Sequence, residues 1–173
     1  MITNEVKMND LFIYIERLEF IAFFTGVPLL GIIIFLVIGK RERGMVLLHT
    51  ILPITYAMLS ALYLGMKLYQ HGLDMGDWLL QGSLLQVLLK GWAISASLFF
   101  IPAFRKRWKG VSHYHALVFY GIMLNDLIQA NRQVLSAELL RNEWLLQGLS
   151  TLGTTLLLAV VYFFLPARFY RLG

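Results

Sequence analysis

The chain has 173 residues, of which 58% are hydrophobic and only 14% charged, and its mean hydropathy is +0.68. This balance excludes an ordinary soluble domain and places the chain with polytopic membrane proteins. The formal charge of +5 does not point to nucleic acid, because the basic residues gather in short loops between apolar runs, where they set topology. Cysteine is absent, which removes disulfides, thiolate metal sites and a cysteine nucleophile.

In chain order, residues 1–19 are charged and lack a small-residue cleavage pattern, so no cleavable signal peptide is expected. Each helical crossing of a roughly 30 Å hydrocarbon layer needs about 20 apolar residues. Five stretches qualify, giving an all-α integral membrane protein: a single domain over 1–173, a bundle of five transmembrane helices at about 18–39, 45–66, 78–102, 113–133 and 144–166. The first carries Pro28, and a kink is expected there. The second carries Pro53 and is followed by a loop, KLYQHGLDMGD. Trp78 opens the third and Pro102 closes it. The fourth is the most polar, with Asn125, Asp126, Gln129 and Asn131.

Nine lysines and arginines follow crossings one, three and five (Lys40, Arg41, Arg43, Arg105, Lys106, Arg107, Lys109, Arg168, Arg171), against five on the other side. The positive-inside rule then puts the N-terminus outside and the C-terminus in the cytoplasm, in what reads as a bacterial inner membrane. A four-crossing arrangement with 113–143 interfacial would leave the C-terminal arginines on the wrong side. Stripes of small residues (Ala22 and Gly26; Ala57, Ala61 and Gly65; Gly91 and Ser95; Thr151, Thr155 and Ala159) are suited to close helix packing, within the bundle or in a homo-oligomer.

The anomaly is Lys90, in the middle of WLLQGSLLQVLLKGWAISASLFF. A charge at the bilayer centre costs roughly 2.5–3.5 kcal/mol on insertion scales, so such residues usually face the protein interior and a partner. Counting from Trp78 along one continuous helix puts Lys90 about 18 Å deep, and a neighbouring crossing offers Asp126 as its carboxylate. Gln86, Asn125, Gln129, Glu19 and Tyr63 lie in the same outer half, so the expected site is an outward-opening polar cavity around a Lys90–Asp126 pair.

The leading functional reading is a small transporter or channel-like component, or a subunit of a larger membrane complex, binding or relaying a small polar ligand or proton. Its partners are the lipid bilayer and other membrane subunits or a second copy; no nucleic acid, metal or cofactor is expected. Two alternatives stay open. Glu16, Glu19 or Asp126 would serve as acid or base in a membrane enzyme acting on a lipid or isoprenoid, with Lys90 as electrostatic partner. A haem-b anchor would need one histidine from each of two helices, as His49 with His115 or His113 would supply. None of HExxH, GxSxG, a phosphate-binding glycine loop or CxxCH is present.

Overall fold

The computed structural model describes the backbone of residues 2–38, 41–107, 110–132 and 137–164, and the side chains among them apart from 2–10, 106, 126, 127, 129–132 and 137–140. All regular structure there is helical: α1 (Ile2–Phe24), α2 (Gly26–Ile38), α3 (Glu42–Val46), α4 (Leu52–His71), α5 (Met75–Leu80), α6 (Leu84–Ser95), α7 (Pro102–Arg107), α8 (Val111–Arg132) and α9 (Ala137–Phe164). A π-helical turn (Leu47–Ile51) precedes α4, and 3₁₀ turns follow α4 (Gly72–Asp74) and α6 (Ala96–Phe100). Among the described residues, three helical stretches are long and apolar enough to cross a membrane: Leu11–Ile38, Glu42–Leu80 and Arg141–Phe164. Leu84–Phe100 is apolar but shorter.

Prolines shape the first two stretches. Pro28 cannot donate a backbone bond one turn back, and the helix is interrupted at Thr25, three residues earlier. The break is repaired by side chains: Thr25 Oγ1 donates to Ile21 O (2.6 Å), and the Gly26 amide donates to Ser150 Oγ on α9 (3.0 Å). Ahead of Pro53 the chain widens into the π turn, in which the Leu52 amide reaches Leu47 O.

The second and third crossings differ from the sequence reading. Helix α4 runs on to His71, and most of the expected loop is helical, because Lys67 is buried against α1 instead of projecting into water. The expected continuous helix from Trp78 is broken. After α5 the chain turns at Gln81–Ser83, where Gly82 has φ 100°, a conformation costly for any residue with a Cβ. Ser83 then caps α6: its Oγ accepts from the Gln86 amide (3.4 Å) while Gln86 Oε1 accepts from the Ser83 amide (2.7 Å). At the far end Arg105 donates to Phe99 O and Phe100 O, both at 2.7 Å, closing off the 3₁₀ turn.

Helices α1 and α2 pack against α8 and α9, while α4 packs against α1, α6, α9 and the 3₁₀ turn that follows α6. Fully buried aromatics fill the middle. Phe24 stacks on Phe119 (4.5 Å between ring centres, 20°) and meets Tyr56 and Tyr63 edge-on (5.8 and 5.6 Å). Ala57, Ala93 and Ala96 are fully buried and let α4 approach α6, where Ser60 Oγ donates to Ala93 O (2.7 Å). The expected small-residue stripes are only partly used: Ala61, Gly65 and Gly91 are exposed. On α9 the buried edge runs through Gln147, Ser150, Thr154 and Leu158, not through Thr151, Thr155 and Ala159. Large apolar side chains such as Leu36, Val37, Leu156 and Phe163 face outward, as a lipid-facing surface requires.

Candidate functional site

Two lysines and two glutamates meet at one end of the bundle. On α1, Glu16 and Glu19 stand three residues apart and so share a face. Lys67 closes the same end from α4 and Lys90 from α6.

Lys90 is held from three directions. Its Nζ donates to Trp78 O (2.8 Å) and Gln81 O (2.9 Å), and Glu16 Oε1 lies at 3.3 Å. An ammonium has three protons, and here each has an acceptor. The Cα–Cβ bonds of a helix lean toward its N-terminus, so the long side chain reaches back along α6 to the carbonyls of the turn before it. Those carbonyls and Glu16 offset the unfavourable placement of a cation at a helix start. Lys90 is six residues into the 84–100 stretch, about 9 Å, instead of the 18 Å that a continuous helix from Trp78 implies. The break at Gln81–Ser83 is the reason for the difference.

Lys67 pairs with Glu19 Oε2. Its Nζ also faces the rings of Trp78 (5.5 Å to the centre) and Tyr63 (5.8 Å), while Lys90 Nζ is 5.0 Å from the Trp78 centre. Both ammonium groups thus lie within 5.5 Å of the indole centre, each paired with its own carboxylate, and an electron-rich ring face attracts cations. Next to this cluster lies an open cavity of about 660 Å³. Phe12, Ile13 and Ile15 form its apolar side; Glu16, Glu19, Lys67 and Lys90 form its charged side, with Gln70, His71, Gln81 and Gln86 around them.

Of the residues picked from the sequence, Lys90, Glu19 and Gln86 line this cavity. Gln86 is also committed to the α6 cap. Tyr63 is fully buried behind Lys67 and Trp78, and its hydroxyl has no hydrogen-bond partner among the described residues. Asn125 is exposed on α8. The side chains of Asp126 and Gln129 lie outside the described residues, and so does the expected Lys90–Asp126 pair. Among the described residues the carboxylate that meets Lys90 is Glu16, and Lys67, at the boundary between the second crossing and the loop, pairs with Glu19. A signal was present: Tyr56, Ser60, Tyr63 and Lys67 recur at helical spacing, as do Phe12, Ile15, Glu16 and Glu19.

Deeper in the bundle His115 bridges three helices. Tyr56 Oη is 2.6 Å from Nδ1 and Ser95 Oγ is 2.9 Å from Nε2, while the ring stacks on Trp92 (4.2 Å, 9°). Ser95 Oγ also donates to Trp92 O (2.7 Å). One assignment gives every hydrogen an acceptor: Tyr56 donates to Nδ1, Nε2–H donates to Ser95 Oγ, and Ser95 donates to the Trp92 carbonyl. In that tautomer the Tyr–His–Ser constellation ties α4, α6 and α8 together. Neither ring nitrogen is left for iron, so the His49–His115 pairing of the haem alternative is not assembled here.

No protein-family model, curated protein or solved structure matches the chain.

Proposed function

We propose that this is a small integral membrane protein that binds a small polar ligand in the cavity between α1, α4 and α6, as a transporter or channel-like component or as a subunit of a larger membrane assembly. The observation that carries this reading is the convergence of Glu16, Glu19, Lys67 and Lys90 beside an open cavity of about 660 Å³. Ionisable groups inside a membrane span are expensive, and two pairs at one cavity exceed what register alone requires. The five-crossing arrangement, with the N-terminus outside and residence in a bacterial inner membrane, belongs to the same proposal. It is supported by the loop-charge asymmetry. The length of the 84–100 stretch also supports it: twelve α-helical and five 3₁₀ residues rise together by about 28 Å, close to the hydrocarbon thickness.

Thermal unfolding of the purified protein against a panel of small anions, cations and zwitterions tests the binding. At least one class should raise the melting temperature of the wild type, and the shift should vanish in the Glu19→Gln/Lys67→Met double variant. A panel in which no class stabilises the wild type would overturn the ligand-cavity reading.

A further inference from the structure

The two lysines of the cavity are not what a ligand meets. The Lys90 ammonium donates to Trp78 O and Gln81 O and is paired with Glu16. Lys67 is paired with Glu19 and otherwise faces aromatic rings. The lysine side chains are 4% and 6% exposed, whereas those of Glu16 and Glu19 are 13% and 18% exposed. An anion entering the cavity would find ammonium groups that are buried and already bonded, behind more exposed carboxylates that offer it no donor. The spare capacity lies on the other side of the ledger, since an ionised carboxylate offers about four lone-pair sites and each glutamate faces one ammonium. Behind this wall the buried Tyr63 hydroxyl is left without a hydrogen-bond partner among the described residues.

The wall around the glutamates is apolar. Phe12, Ile15, Glu16 and Glu19 follow one another at i, i+3, i+4 and i+7, so they occupy one face of α1. Phe12 and Ile15 are exposed, at 64% and 44%, and both line the cavity. A bare inorganic cation would use the carboxylates and leave this stripe uncovered. A cation with an apolar group would place its charge beside Glu16 and Glu19 and lay its body along Phe12 and Ile15, toward the start of α1. Because each lysine is already neutralised by its glutamate, an incoming monocation meets no net positive charge from these four groups.

Resting on the ligand-cavity reading above, we propose that the cavity takes a small organic ammonium bearing N–H donors and an apolar group, with Glu16 and Glu19 as the acceptors that recognise it. The test is calorimetric titration of the full chain in phosphatidylcholine nanodiscs, with empty nanodiscs as the blank for partitioning. Two probes of equal size and opposite charge are compared, 2-phenylethylammonium and 3-phenylpropionate. The ammonium should bind saturably and the carboxylate should not. Glu16→Gln should raise the Kd by about tenfold or more, the loss expected for one charge-assisted hydrogen bond. The Glu19→Gln/Lys67→Met double variant should do the same while stranding no buried charge, and it stands in for Glu16→Gln should that variant fail to fold by circular dichroism. Tighter binding of the carboxylate, or ammonium binding unchanged by both variants, would overturn the cation assignment and leave the ligand-cavity reading standing. Absence of binding by either probe would also overturn the cation assignment; if the thermal panel is silent as well, the ligand-cavity reading falls with it.

Discussion

Lys67 and Lys90 look alike in composition but are held differently, and substitution should separate them. Lys67 leans on one carboxylate and two ring faces, and Glu19 Oε2 is sealed from solvent beside it. Lys67→Met alone strands that carboxylate and is expected to cost about 3–5 kcal/mol, as for a broken buried pair. Adding Glu19→Gln should restore part of the loss, with a coupling energy of about 1–3 kcal/mol in a double-mutant cycle read by thermal or denaturant unfolding. Two tyrosines provide a second contrast. Tyr56 Oη bonds His115 Nδ1 at 2.6 Å, so Tyr56→Phe should cost about 1 kcal/mol. The Tyr63 hydroxyl has no partner among the described residues, so Tyr63→Phe should be neutral or slightly stabilising in the same measurement. A loss at Tyr63 equal to that at Tyr56 would show that its hydroxyl is engaged in the full-length protein.

At the scale of elements, helix interruptions set side-chain and backbone contacts. The break at Thr25 exposes the Gly26 amide, which Ser150 accepts, and there is no room at this contact. A Cβ on Gly26 would lie 2.6 Å from the Ser150 carbonyl oxygen, a backbone atom that cannot swing aside. Gly26→Ala is therefore expected to destabilise the α2–α9 contact by about 1–3 kcal/mol, as overpacking does, and to lower the melting temperature. The turn at Gln81–Ser83 has a different consequence. By ending α5 and restarting the helix at Leu84, it brings Trp78 O and Gln81 O within reach of Lys90. Without that break the lysine would sit deeper and lose two of its three acceptors.

The described residues form a helical bundle with a fully buried aromatic centre and two lysine–glutamate pairs at one cavity. Absence of cysteine makes the proposed topology directly testable, because single introduced cysteines have no background. In intact cells Leu73→Cys, in the exposed turn after α4, should react with a membrane-impermeant maleimide. Arg41→Cys, before α3, should react only after the membrane is opened. The reverse pattern would invert the bundle, and labelling of both from outside would remove the Glu42–Leu80 crossing.

The sequence by itself determined the all-helical class and the presence of stretches long and apolar enough to cross a membrane, because both are written in composition and run length. It also placed ionisable groups at Glu19 and Lys90 and foresaw a disturbance near Pro28, since a charge in an apolar run and a missing amide are local facts. Partner choice was not local. That Glu16 on α1 reaches Lys90 depends on a three-residue turn that hydropathy averages away. At Lys67 one charge ends an apolar window, whereas the helix continues past it, with Glu19 there to receive the ammonium. Only the tertiary structure decided which charges are spent on one another and which face of them the cavity presents, since both are properties of three helices at once.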